Sequence, residues 1–250
     1  ISEWIKKRLL KDLQVDNTLM QKIHVIPHST KKIKSPELIK SKEKIIIFVG
    51  KLNSQKGYDL FGNVIIKILN KNISWKSIVI GDEEREKLLF NHPRLNIMGF
   101  IEHNRVIKLF EKSSIAVVPS RWQEPLGRTG LEASSRGCAT IVSNRGGLPE
   151  TITDGIILQK LSENELFKQI QYLINNKKFR KNLQKKSILN FKLDHGVIAQ
   201  KIDFVRSKIE KNYYFNINKK SKLKILHITN FNQRYFGRLH FNTGTRINNG

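Results

Sequence analysis

The chain has 250 residues, 39% of them hydrophobic, which allows one large domain or two small ones around a packed core and excludes global disorder. One cysteine, Cys138, excludes a disulfide framework or a cysteine-based metal cage within this chain and suits a reducing compartment. The formal charge of +25 fits a polyanionic partner, either nucleic acid or an anionic membrane surface; the lysines, however, run along the whole chain among abundant Ile and Asn, as a compositional bias of the coding sequence also produces.

In chain order, Ile1, Trp4, Ile5 and Leu9 have helical spacing, so an amphipathic helix is expected over 1–13. Residues 22–27 read as a strand-like lead into a Ser/Lys/Pro linker, 29–37. From 44 to about 158 short apolar runs alternate with longer amphipathic ones. Strands are expected at 45–49, 77–80, 96–98, 115–118, 140–142 and 156–158, each rich in Ile and Val. Helices are expected at 58–69, 84–90, 104–111 and 129–136. Residues 162–211 read as helical. Leu166, Ile170, Leu173 and Ile174 form one stripe, Ile198, Ile202, Phe204 and Val205 help form another, and a break falls at 194–196. A basic connector, 219–224, leads to a further strand, 225–229, and a Gly/Asn-rich loop. No apolar run approaches the roughly 20 residues that span a bilayer, and no internal repeat is evident.

Two-sided apolar strands alternating with helices specify an α/β domain, a Rossmann-like doubly wound parallel sheet with trailing helices. Such sheets bind ligands at the carboxyl ends of their strands. The chain divides at 1–37, 38–160, 161–215 and 216–250. It starts at Ile1 and stops inside a Gly/Asn/Arg-rich stretch, so a fragment of a longer polypeptide is expected, with no targeting signal legible at its start.

Three post-strand segments carry the candidate chemistry. In the first, Gly50-Lys51-Leu52-Asn53-Ser54-Gln55-Lys56-Gly57, two glycines permit a tight turn and two lysines offer positive charge to a diphosphate. The order is not that of a Walker loop. In the second, Glu124-Pro125-Leu126-Gly127-Arg128-Thr129-Gly130-Leu131-Glu132, a helix begins near Arg128. Its free N–H groups and positive dipole end suit a phosphate. Glu132, one turn in, could accept two hydrogen bonds from a vicinal diol. In the third, Ser143-Asn144-Arg145-Gly146-Gly147-Leu148-Pro149-Glu150, the glycine pair permits close backbone approach to a ligand or simply turns the chain. Taken singly, each segment also reads as an ordinary solvated loop; three consecutive motifs at one sheet edge strengthen one another.

Together these residues resemble the retaining glycosyltransferases of family 4, which have the two-domain GT-B fold. The resemblance rests on Gly50-Lys51 with Lys56-Gly57, on Pro119-Ser120, on Glu124 and Glu132 separated by seven residues, and on Gly146-Gly147-Leu148-Pro149-Glu150. It covers 44 to about 158. It implies a catalytic set of Lys51, Lys56 and Glu124, with the lysines on the donor diphosphate. Gly50, Leu126, Gly127, Arg128, Thr129, Gly146 and Gly147 would complete the donor site, Glu132 would hold the ribose, and Gly99, Phe100 and Ile101 would hold the base. No metal or other cofactor is implied. The implied partners are a nucleotide-sugar and a saccharide or lipid-linked acceptor, in the cytoplasm, with peripheral contact to anionic membrane.

The same resemblance makes 1–37 the end of an acceptor-binding domain plus linker, 38–160 the donor domain, and 161–215 the C-terminal helices, the last packing back on the acceptor domain. Residues 225–250, with Gly237-Arg238 and Gly244-Thr245-Arg246, resemble the start of a second transferase domain. The sequence departs from the family at His28-Ser29, where Asn-Gly often follows Ile-Pro, and at Lys51, where Arg is commoner. Two other classes stay open. A basic nucleic-acid-binding module fits the charge, but no aromatic-interleaved basic face accompanies it. Another sugar-nucleotide enzyme, such as an epimerase or a phosphorylase, fits the fold. The seven histidines read as surface or loop residues, and Cys138 as a small-residue packing position. Trp122 fits either a sugar contact or the fold.

Overall fold

The structure is a computed structural model and describes residues 2–14, 21–33 and 36–216. The connector at 219–224 and the strand expected at 225–229 lie outside these residues.

Six parallel strands form one sheet: β1 (Glu43–Val49), β2 (Lys76–Ile80), β3 (Leu95–Ile97), β4 (Ser113–Val118), β5 (Ala139–Ser143) and β6 (Ile156–Leu158). Their order is β3-β2-β1-β4-β5-β6. Ile45, Ile46, Ile47 and Phe48 are consecutive and all buried, so β1 has no solvent face. That is the signature of a sheet covered on both sides.

Helices α2 (Tyr58–Lys71) and α5 (Glu163–Asn175) cover one face, where Phe61, Ile65, Ile68, Leu166 and Ile170 pack on Ile46 and Phe48. Helices α3 (His103–Lys112) and α4 (Arg128–Ser135) cover the other, with Val106, Phe110 and Ala133 against Ile45 and Ile47. Helix α6 (Lys177–Leu189) packs at the amino end of β4, where Gln184 Nε2 donates to Ser114 O at 2.8 Å. Helix α7 (His195–Asn216) trails away. At the other end of the chain, α1 (Glu3–Asp12) is capped by Ser2. The backbone N–H groups of Glu3 and Trp4 each donate to the Glu150 carboxylate at 2.8 Å. The α1 amino end thereby docks beside the loops that follow β4 and β5.

The strand order reverses between β1 and β4, so their carboxyl ends open onto the switch-point crevice of a doubly wound sheet. The expected elements match this architecture with four corrections. No helix forms over 84–90. There Glu83 is bound by its near neighbour Arg85, and Glu86 accepts from Ser54 N and Oγ. Such side-chain bonds compete with helix formation, and Pro93 restrains the following backbone. Residues 22–27 form no strand; the linker makes a single bridge, Thr30 to Asp194. The helical region 162–211 breaks at Asn176 and again over 190–194, with His195 already inside α7. On α7 only Ile198 and Val205 of the expected stripe are buried, while Ile202 and Phe204 are exposed.

Candidate functional site

A cavity of about 410 Å³ opens at the carboxyl ends of β1 and β4. Phe48, Val49 and Val118 contribute from the strands; Gly50, Lys56, Ser120, Glu124 and the start of α4 contribute the polar wall, and His28 reaches in from the linker. The volume lies in the range of small-ligand sites.

Lys56 is the last residue of a 3₁₀ turn, Ser54–Lys56. The Asn53 side chain caps that turn by accepting from Lys56 N at 3.0 Å. Gly57 closes it at φ +73°, where a Cβ would lie 2.1 Å from Pro119 O. The turn is tied to the loop after β4: Arg121 N and Trp122 N both donate to Gln55 O, and Arg121 grips Asp59 through both terminal nitrogens. The ammonium of Lys56 therefore has a fixed origin. Its Nζ donates to Glu124 Oε1 at 2.6 Å, and Ser120 Oγ donates to the same oxygen at 3.0 Å.

Helix α4 starts directly after this loop. Its cap is Gly127 at φ +92°, with no side-chain cap bond. That left-handed backbone favours glycine, and a Cβ there would also push Leu148 Cδ1, 2.4 Å away, aside. The first N–H groups of the helix are left for an anion, beside the cavity that Arg128 and Thr129 line.

Glu132 lies one turn further on, buried on the α3 side. Its Oε1 is 3.0 Å from His103 Nε2 and 3.2 Å from Arg128 Nη2. The loop carrying Gly99, Phe100 and Ile101 immediately precedes α3. Gly99 O accepts from Gly81 N, the Phe100 ring is exposed, and Ile101 packs into the core beside β2. Because β3 lies two strands from β1, this loop stands roughly 10 Å to one side of the cavity. Glu132 thus bridges Arg128, which lines the cavity, and His103, which opens the helix after the 99–101 loop.

Not every expected residue lines the cavity: Glu132, Gly99, Phe100 and Ile101 stand beside it. Lys51 is exposed and does not line the cavity. Gly146 and Gly147 also stand outside it, and their close approach is to protein. A Cβ on Gly146 would lie 2.2 Å from Glu124 O, and one on Gly147 would lie 2.6 Å from both Pro125 O and Ser2 Oγ. Gly147 N donates to Glu124 O at 2.7 Å. The pair therefore backs the Glu124 loop. Trp122 is about half exposed beside it. Cys138 is buried, with its Sγ near Phe110 O, and burial pushes its thiol pKa up, as suits a packing residue.

Two site histidines escaped the sequence reading. His103 partners Glu132, and His28 lines the cavity. The available signal was positional, since His103 opens the helix after a strand-end loop. Among the described residues no three His, Cys, Asp or Glu side chains are grouped as a metal site requires.

A doubly wound sheet with a basic, helix-terminated crevice at its switch point defines a nucleotide- or phosphate-binding α/β domain. The chain belongs to the family "Glycosyl transferases group 1", whose model matches residues 29–189. It is 29% identical over 162 residues to spore coat protein SA of Bacillus subtilis (strain 168), covering 58% of this chain and 43% of that protein. The chain spans less than half the length of the curated relatives it matches. Among solved structures it is similar to a glycosyltransferase from Rickettsia africae ESF-5 (TM-score 0.64, 21% identity, 88% of this chain and 63% of that one). It is also similar to Anabaena HepE in complex with UDP-glucose (TM-score 0.58, 18% identity, 70% and 54%). At these identities the structures establish the fold alone, a Rossmann-like α/β sheet domain like that of GT-B neighbours.

Proposed function

We propose that this chain is the donor-binding half of a retaining, family 4-type hexosyltransferase that moves a sugar from a nucleotide-sugar to a saccharide or lipid-linked acceptor. The observation that carries the reading is the Lys56–Glu124 pair set beside the uncapped start of α4 at the sheet's switch point. A departing nucleoside diphosphate gains negative charge, and this corner offers it Lys56, Arg128 and backbone N–H groups. Glu124 faces the sugar. Glu132 takes the ribose hydroxyls, and the loop at 99–101 takes the base, with Phe100 free to stack. The contacts of Glu132 with Arg128 on one side and His103 on the other support that order. Lys51, being exposed, acts through long-range charge or on a bound ligand's rim. Charge is stabilised by the chain's own cations, so catalysis is proposed to be metal-independent.

The acceptor side belongs to a preceding domain that ends in α1, and the fragment alone binds donor and turns over poorly. Val197, Ile202, Phe204 and Ile209, exposed on α7, are the apolar surface that would pack on that domain. A second transferase domain is proposed to begin near residue 225. No helix among the described residues is long and apolar enough to cross a membrane. A cytoplasmic location with peripheral contact to anionic lipid is proposed on the strength of the charge.

Calorimetric titration with UDP-, GDP- and ADP-sugars tests the reading. Micromolar to millimolar binding to one of them, stronger than to a random oligonucleotide at the same salt, is expected. Salt-sensitive oligonucleotide binding with no heat from any nucleotide-sugar would overturn it.

A further inference from the structure

We propose that His28, a linker residue outside the sheet domain, binds the donor diphosphate as the imidazolium, so that donor binding takes up a proton. The inference rests on the donor-site reading above and adds to it a residue, a protonation state and a pH dependence.

Three observations carry it. First, His28 lines the switch-point cavity together with Lys56, Glu124 and the α4 start. Secondly, the backbone around it is tethered. Ser29 Oγ lies 2.8 Å from His195 Nδ1, Thr30 N donates to Leu193 O at 3.0 Å, and Lys32 N donates to Asp194 Oδ1 at 2.7 Å. Lys31 O accepts from Arg136 at the end of α4, and upstream Lys6 Nζ holds Ile23 O at 2.7 Å. These bonds hold the backbone on either side of His28, whose side chain lines the cavity. Thirdly, the two cations nearest the diphosphate position are already paired, Lys56 with Glu124 and Arg128 with Glu132. The His28 ring makes no hydrogen bond among the described residues, so on that wall it is a side chain that can gain a charge and is not held in an ion pair.

The groups facing it are Lys56 from the loop after β1, and Glu124 and Arg128 from the loop and helix after β4. Lys31, Lys32, Asp194 and His195 lie along the linker and the start of α7. The His28 pKa is lowered, by desolvation first, then by the positive charge of the chain's N-terminus and by that of Arg128. The charged imidazolium is therefore disfavoured beside these cations. A diphosphate ester carries two negative charges through this range and reverses the balance. The sign follows: the pKa rises on binding, so between the free and bound values each donor brings in up to about one proton. Affinity rises as pH falls through that window, by at most about tenfold per pH unit, and levels off below the free value.

The test is titration of the full chain with UDP-glucose, GDP-mannose and ADP-glucose between about pH 5.5 and 8.5, in two buffers of different ionisation enthalpy. For the wild type, proton uptake and a several-fold gain in affinity on acidification are expected. His28→Asn should bind at high pH much as the wild type does, with no uptake and a flat profile. His28→Lys should bind tightly with a flat profile. Because His28 is exposed, matched thermal melts should confirm that both variants fold. A His28→Asn profile with the wild-type slope overturns the proposal, as does a slope lost instead in His103→Gln. Wild type that binds no nucleotide-sugar at any pH overturns the donor-site reading and this inference with it.

Discussion

Lys56 Nζ and Glu124 Oε1 are 2.6 Å apart, although 68 residues separate them in sequence. The pair links the loop after β1 to the loop after β4 across the switch point. The Glu124 side chain is 12% exposed and that of Lys56 32%. Replacing Lys56 by Met leaves Glu124 with the Ser120 hydroxyl. Partial exposure limits the stability loss to about 1 kcal/mol in urea denaturation. Donor affinity should fall at least about tenfold, since a charge-assisted contact to a diphosphate is lost. The Lys56→Met/Glu124→Gln double variant should lose less stability than the two single losses summed, because the two groups share one interaction.

Two glycines hold these loops together, and their replacement separates strain from collision. Gly57 and Gly146 have φ of +73° and +60°, and a Cβ on either would meet backbone within 2.2 Å. Alanine at either position should cost roughly 2 kcal/mol or more. Gly99 has φ +65° with open space around it. There alanine should cost only the left-handed backbone penalty, about 1 kcal/mol. Equilibrium denaturation of the three variants checks the ranking.

Glu150 caps a helix 146 residues away in sequence by accepting from Glu3 N and Trp4 N. Glu150→Ala should free the α1 amino end at a cost of about 1 kcal/mol. Hydrogen exchange should accelerate in α1 and remain unchanged in β1 and β4.

Asp194 anchors the linker that carries His28. The Lys32 backbone N–H holds its carboxyl below the usual range, opposed by some burial and helped by the Gly196 N–H and the charge of His195. A depressed folded pKa means that this contribution to stability is present above the unfolded value, near 4, and is lost as pH falls through the folded value. Asp194→Asn should therefore lower the neutral plateau by the carboxylate's contribution and flatten the acid limb below about pH 4, so that the two profiles converge at low pH. Urea midpoints measured across that range show the difference.

The sheet was legible because β1, β2, β4 and β5 are short Ile/Val runs buried on both faces, a pattern that depends on local sequence alone. The motif order likewise located the loops after β1, β4 and β5. The 84–90 helix failed because Glu83 and Glu86 spend their carboxylates on Arg85, Asn53 and Ser54, partners that no periodicity reveals. The glycine pair at 146–147 was legible as a close approach, but not what it approaches: the neighbour is the Glu124 loop. His28 and His103 were missed because both reach the site through tertiary placement, one by a tethered linker and the other by the packing of α3 beside α4.

The most direct measurement is the structure of the chain crystallised with the nucleotide-sugar it binds best. The account predicts the diphosphate in the cavity between β1 and β4, with an oxygen in hydrogen-bond reach of Lys56 Nζ and of the Arg128 and Thr129 N–H groups, and the ribose at Glu132. A ligand bound elsewhere on the chain, with that cavity empty at saturation, would contradict it.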